Sequence, residues 1–161
     1  MHSLSQLLKH VVKILAGFAI LPVLGTMSVH ASERFVQKLA IAPGLVAVVS
    51  EGDLEARSIG SYAVRVYFDS AASSENDTTF YTAGLIRARE GAVVSIAPLQ
   101  VAWRKYPLLL VVIQSVGTGG YISADALSVG RREIRLLANV ANLGPDQDPA
   151  KVLLRKLARK K

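Results

Sequence analysis

Residues 61–68 read SYAVRVYF, and they alternate without a break. Tyr62, Val64, Val66 and Phe68 fall on one side, Ala63, Arg65 and Tyr67 on the other. Successive side chains of an extended chain point to opposite faces, so this period of two marks a strand with one face in a core. The neighbouring segments fit the same architecture. LVAVVS (45–50) and TFYTAGLI (79–86) are short β-prone runs. AVVSIAPLQVAWR (92–104) continues as strand, and Pro98 assigns it to an edge or a bend because proline cannot donate to a ladder. LLLVVIQSV (108–116) is apolar on both faces, as a central strand is. YISADALSV (121–129) alternates, and EIRLLANVANL (133–143), compatible with helix or strand, is read as strand. Val36–Ile41 is a short mixed segment closed by Pro43-Gly44. EGDLEARSIG (51–60) and DSAASSENDT (69–78) are polar loops, REG (89–91) is a corner, and Pro145 and Pro149 are read as ending the domain. Seven to eight short strands at this spacing predict an all-β fold, a sandwich or a barrel, with an antiparallel β-sandwich as the expectation.

The first 31 residues stand apart. Lys9, His10 and Lys13 precede the apolar run ILAGFAILPVL (14–24), and SVHA follows, with small residues at Val29 and Ala31. A basic start, a short apolar centre and a small-residue cleavage site make a secretory signal peptide. The run is well short of the roughly 20 residues that span a bilayer. The reading therefore divides the chain into a removed leader (1–31), a β-sandwich domain (32–150) and a basic C-terminal tail (151–161). The product is expected to be periplasmic or secreted and soluble.

That division restricts the chemistry. The chain holds three histidines (His2, His10 and His30) and no cysteine. All three histidines lie in the leader. The mature chain has neither imidazole nor thiol, so Ser-His-Asp and Cys-His machinery is excluded, and a metal would have carboxylates alone to bind. The expectation is a protein that is not an enzyme, without catalytic residues, metal or cofactor. Of 19 Lys and Arg against 12 Asp and Glu, six basic residues sit in KVLLRKLARKK (151–161). The high pI thus belongs to the tail. The body lacks the clustered basic face of a nucleic-acid binder, and no nucleic-acid partner is expected.

The run SVGTGGYIS (115–123) holds a Gly-Gly pair between two strands. A phosphate loop would need Lys and Ser/Thr after the glycines and then a helix, whereas Tyr121 and a strand follow. A two-residue hairpin on Gly119-Gly120 fits better, because glycine supplies the positive φ of such turns. In that register Thr118 and Tyr121 face each other at the tip and project two hydroxyl groups side by side. The alternative is that the Tyr121 ring packs down on the sheet.

EGDLEARSIGSYAVRVY (51–67) together with SVGTGGYISA (115–124) resembles the periplasmic inhibitors of invertebrate-type lysozyme. The similarity spans most of Val46–Leu127. The resemblance implies a secreted bacterial β-sandwich that blocks a muramidase, and so helps its bearer evade host defence, by inserting a loop into the enzyme's active-site cleft. The family's loop is Ser-Gly-Gly-Tyr; here Thr118 stands at the serine position, and Gly119, Gly120 and Tyr121 match. The resemblance assigns these four as the lysozyme-binding loop and invertebrate-type lysozyme as the partner. The added methyl of Thr118 bears on the tightness of fit, not on the hydroxyl.

Several weaker signals complete the reading. Arg57, Ser58 and the Trp103-Arg104-Lys105 group are secondary candidates for the same surface, with Trp103 read as core. Arg65 is read as a solvated face residue. Glu51, Asp53 and Glu55 are read as a solvated loop rather than as the carboxylates of a hydrolase. The tail is a frayed terminus or a short basic amphipathic segment giving weak contact with an anionic membrane surface. An edge strand would let two copies pair as a homodimer. The rival function is a periplasmic glycan- or peptidoglycan-binding β-sandwich without inhibitory activity.

Overall fold

The computed structural model describes residues 34–69 and 79–159. The expected leader (1–31), most of the 69–78 loop and the last two lysines lie outside the described residues. Eight strands follow in chain order: β1 (Val36–Ala42), β2 (Leu45–Glu51), β3 (Ile59–Asp69), β4 (Thr79–Glu90), β5 (Ala92–Leu99), β6 (Leu108–Gln114), β7 (Ile122–Val129) and β8 (Ile134–Leu143). They form two four-stranded sheets, β1-β2-β3-β4 and β5-β6-β7-β8, in which every neighbour is antiparallel. This is the expected antiparallel β-sandwich. Pro98 lies on β5, an edge strand, where its missing N–H costs least.

The alternation in 61–68 is realised in the packing. Tyr62, Val64 and Val66 are fully buried against the second sheet, in one cluster with Val49, Leu109, Val111, Ile113 and Leu127 or beside it. Phe68, the last of the row, is half-buried, with the Arg131 guanidinium 3.8 Å above its ring; the register shift beside it lies on β4, where Thr82 is the extra residue. The chain crosses from the first sheet to the second in a single residue, Gly91, at φ +114. A side chain there would be strained by the backbone and would clash with the Gln114 carbonyl, so the crossing requires glycine.

The tail differs from expectation. Pro149 opens a helix, α1 (Pro149–Ala158), instead of closing the domain. Asp148 caps it by accepting from the amides of Ala150 (2.9 Å) and Lys151 (3.4 Å), and proline at the first helical position loses no hydrogen bond. Leu153 and Leu157 are buried with Leu108, Leu110, Val112, Ala124, Ala126 and Ala138 on the outer face of the second sheet. The alanines leave room for the helix to approach. Both faces of β6 are therefore covered, which is why it is apolar throughout. The stripe that a membrane would take is already used within the fold. No helix among the described residues is long and apolar enough to cross a membrane.

Candidate functional site

The β6–β7 connection is longer than a two-residue hairpin. Gln114 and Ile122 are the last ladder pair, and the Ser115 amide then donates to the Tyr121 carbonyl at 2.8 Å. Beyond it the Gly120 amide donates to the Gly117 carbonyl at 3.2 Å, closing a four-residue turn. Thr118 and Gly119 are thus the central residues, and Gly120, at φ +56, is the left-handed one. The expected facing pair Thr118–Tyr121 is not formed: Tyr121 faces Ser115, and Thr118 sits at the tip. The Gly117 amide is held at 3.3 Å from the Ser115 hydroxyl.

Tyr121 does not pack down on the sheet. It is 54% exposed, and its ring lies against Gly119, where any Cβ would collide with the ring carbons. The loop therefore presents Thr118, Gly119 and Tyr121 together, with the phenol clear of the core.

A second loop stands at the same end of the sandwich. Gly91 joins them: its amide donates to the Ser58 carbonyl at 2.8 Å, and its α-carbon lies against the backbone of Gln114 and Ser115. The loop 52–58 is braced from beneath by a buried cation. Arg89, with no exposed side-chain area, pairs with Glu51 at 3.2 Å and Glu55 at 3.7 Å. Its guanidinium also donates to the carbonyls of Ser61 (3.0 Å), Arg57 (2.9 Å), Ala56 (3.3 Å) and Gly91. Glu51, expected to be solvated, is buried and accepts from the amide of Val93 at 2.8 Å. Glu55 accepts from the Ser61 hydroxyl at 2.6 Å and from the Ser61 amide. Those two hydrogen bonds, with the charges of Arg89 and Arg34 behind them, hold its carboxyl below the usual carboxylate range. Asp53 alone of the three acids is solvent-exposed. The network was hidden in the sequence because Arg89 lies 38 residues from Glu51 and 34 from Glu55.

A further buried network ties the two sheets together. The Tyr62 phenol donates to Asp125 at 2.5 Å, and Arg87 reaches the same carboxylate oxygen at 3.2 Å. Burial, then the hydrogen bond and charge of Asp125, push the Tyr62 pKa well above its ordinary value, so the phenol stays protonated. Each group is satisfied by the others, so this network is structural. Among the described residues no three acidic side chains converge as a metal would require.

The Trp103 group lies elsewhere. Residues 100–107 connect β5 to β6 at the opposite end from the Thr118 turn. Trp103, expected in the core, is 43% exposed, with the Arg104 guanidinium 5.6 Å from its ring and donating at 2.8 Å to the Ser128 hydroxyl. Arg57 and Ser58 do stand at the Thr118 end. Arg65 is exposed on the outer face of β3, its guanidinium 3.3 Å from the Ser50 hydroxyl.

The sequence model of PliI, periplasmic lysozyme inhibitor of I-type lysozyme, matches residues 33–157, the whole sandwich and nearly all of α1. The chain belongs to this family. Two solved structures agree. The crystal structure of PliI-Ah, periplasmic lysozyme inhibitor of I-type lysozyme from Aeromonas hydrophyla, is 32% identical with a TM-score of 0.65, over 74% of this chain and 98% of that one. The crystal structure of Aeromonas hydrophila PliI in complex with Meretrix lusoria lysozyme is 34% identical with a TM-score of 0.66, over 74% of this chain and 94% of that one. No curated protein matches the chain. The PliI match runs to residue 157, one short of the end of α1.

Proposed function

We propose that this chain is a periplasmic proteinaceous inhibitor of I-type lysozyme, and that the turn carrying Thr118, Gly119, Gly120 and Tyr121 enters the enzyme's cleft. Membership of the PliI family carries the reading, and an Aeromonas member 34% identical to this chain has been solved with the lysozyme of Meretrix lusoria. The loop's form supports the second half. A narrow turn closed by two backbone hydrogen bonds projects beyond the sandwich with one hydroxyl at its tip and one phenol on its flank.

A retaining or inverting muramidase cleft holds two carboxyl groups, one protonated and one ionised. The Thr118 hydroxyl and the Tyr121 phenol can each donate to the ionised carboxylate or accept from the protonated acid. Blocking a cleft needs no catalytic group of the inhibitor's own, and we take the protein to be a non-enzyme. The leader at 1–31 would deliver it to the periplasm.

Titration of the chain from Ser32 against invertebrate-, chicken- and goose-type lysozymes tests the function. Loss of activity near one-to-one with the invertebrate type alone is the expected result; undiminished activity of that enzyme would refute it. Glycan binding has one observation in its favour, the exposure of Trp103 and Tyr106 beside Arg104 and Lys105. The chain has a single tryptophan, so unchanged fluorescence on adding peptidoglycan fragments would remove that alternative.

A further inference from the structure

We infer that the end of the second sheet opposite the Thr118 turn docks on an anionic phospholipid bilayer, with Trp103 and Tyr106 in the headgroup layer and the cations around them on the phosphates. The inference stands apart from the inhibitor reading. Two connections meet at this end: residues 100–107 join β5 to β6, and residues 130–133 join β7 to β8. The Arg104 guanidinium ties the first of them to β7 by its 2.8 Å hydrogen bond to the Ser128 hydroxyl, and Val129 lines one recess with Trp103, Lys105 and Tyr106.

The charge is the first observation. Arg104, Lys105, Arg131 and Arg132 lie in these connections, and Arg135 lies beside them at the start of β8. Among the described residues the acid facing them is Glu133, which Arg135 already holds at 2.7 Å. Lys105, Arg131 and Arg132 are exposed and make no ion pair among the described residues. Glu75 and Asp77 belong to the connection on the first sheet, outside the described residues. Positive charge left open at one end of a molecule draws it to an anionic surface.

The aromatic rings are the second observation. Trp103 is 43% exposed and Tyr106 40%. Each has a cation at its ring, Arg104 at 5.6 Å and Lys105 at 5.3 Å. Such pairs suit the boundary between water and lipid, where an amphipathic ring enters the headgroup layer and a long cationic side chain reaches the phosphates. A sugar chain would need acceptors for its hydroxyl groups beside the rings, and Glu133, the nearby carboxylate, is occupied by Arg135.

The third observation is the separation of charge along the sandwich. Asp53, Glu90, Asp146 and Asp148 are exposed at the Thr118 end. The seven residues of β6 hold the two ends about 20 Å apart. An anionic surface therefore orients the molecule with the Trp103 end down and the Thr118 turn outward. The apolar stripe of α1 is covered within the fold, so the helix adds only charge to this contact, from the exposed Arg155 and Arg159.

Trp103 is the single tryptophan of the chain, so its emission reports this end alone. The test mixes the full mature chain with vesicles of phosphatidylglycerol and phosphatidylethanolamine, and in parallel with vesicles of phosphatidylcholine. The expected result is blue-shifted emission and co-sedimentation with the anionic vesicles alone, both weakening as salt is raised. Lys105→Glu/Arg132→Glu should lower partitioning about 10-fold or more, and Lys105→Gln/Arg132→Gln by less, with thermal midpoints matching the parent's. Tyr121→Ala should partition as the parent does, and the double variants should inhibit invertebrate-type lysozyme as the parent does, so this inference and the inhibitor reading fail separately. No shift with the anionic vesicles, equal binding to phosphatidylcholine, or equal partitioning of the parent and Lys105→Glu/Arg132→Glu would overturn the inference. A shift with peptidoglycan fragments and none with vesicles would overturn it in favour of a glycan.

Discussion

At the scale of single residues, the proposed contact turns on Tyr121 and on the missing Cβ of Gly119. The ring lies where that Cβ would be, so the glycine sets the direction in which the phenol points. Tyr121→Ala should raise the Kd for invertebrate-type lysozyme about 30-fold or more, the equivalent of about 2 kcal/mol for an anchoring side chain. Gly119→Ala should weaken binding as well, by turning the ring away, while leaving the thermal midpoint near the parent's, since an exposed ring can swing aside at little cost. Calorimetric unfolding alongside surface binding separates the two effects. A Gly119→Ala chain that binds as well as the parent would show that the position of the ring is immaterial. The sequence pointed to this turn but to the wrong register. Three glycines in Gly117–Gly120 allow more than one closure, and alternation in the flanking strands does not choose between them. The structure chooses by starting the turn at Gly117, which moves Thr118 from a flank to the tip.

At the scale of elements, the strands were legible and what covers them was not. β3 could be read because its two faces meet different surroundings. β6 could be read as central because it is apolar on both faces, yet nothing local said that α1 supplies the outer cover. The amphipathic pattern of 151–157 looks alike whether its partner is a sheet, a membrane or water. Leu153→Ala should cost about 2–5 kcal/mol by opening a cavity between α1 and the second sheet. Leu154→Ala, one residue along and 36% exposed, should cost under about 0.5 kcal/mol. Denaturant unfolding of the pair checks this, and equal losses would mean that α1 is not docked by Leu153.

The ion network under loop 52–58 was illegible for the same nonlocal reason: Glu51 and Glu55 meet Arg89 only after the sheet has formed. It also gives this element a pH dependence. Glu55 titrates below its ordinary value because Ser61 donates two hydrogen bonds to its ionised form. The stability it contributes is therefore complete above the ordinary carboxylate pKa and is lost as pH falls through the lowered folded-state value. Thermal midpoints of the parent and Glu55→Gln, followed from neutral pH into acid, should converge as pH falls. A constant gap would show that the ionised carboxylate is not what braces the loop.

At the scale of the whole molecule, the sandwich acts as a handle that gathers two loops at one end. Gly91 connects the sheets, brings β4 and β5 together and holds the backbones of Ser58 and Ser115 near each other. The Tyr62–Asp125–Arg87 network fixes the two sheets to each other beneath that end. The basic face of α1 lies on the outside of the second sheet, and its positive charge would slow approach to a cationic lysozyme. The account stands or falls on where the Thr118 turn goes. The measurement is inhibition of invertebrate-type lysozyme by the mature chain at rising concentrations of a chito-oligosaccharide that fills the substrate cleft. The account predicts mutual exclusion, with the apparent inhibition constant rising linearly with the concentration of free oligosaccharide. Simultaneous binding of both, with an inhibition constant that does not move, would contradict it.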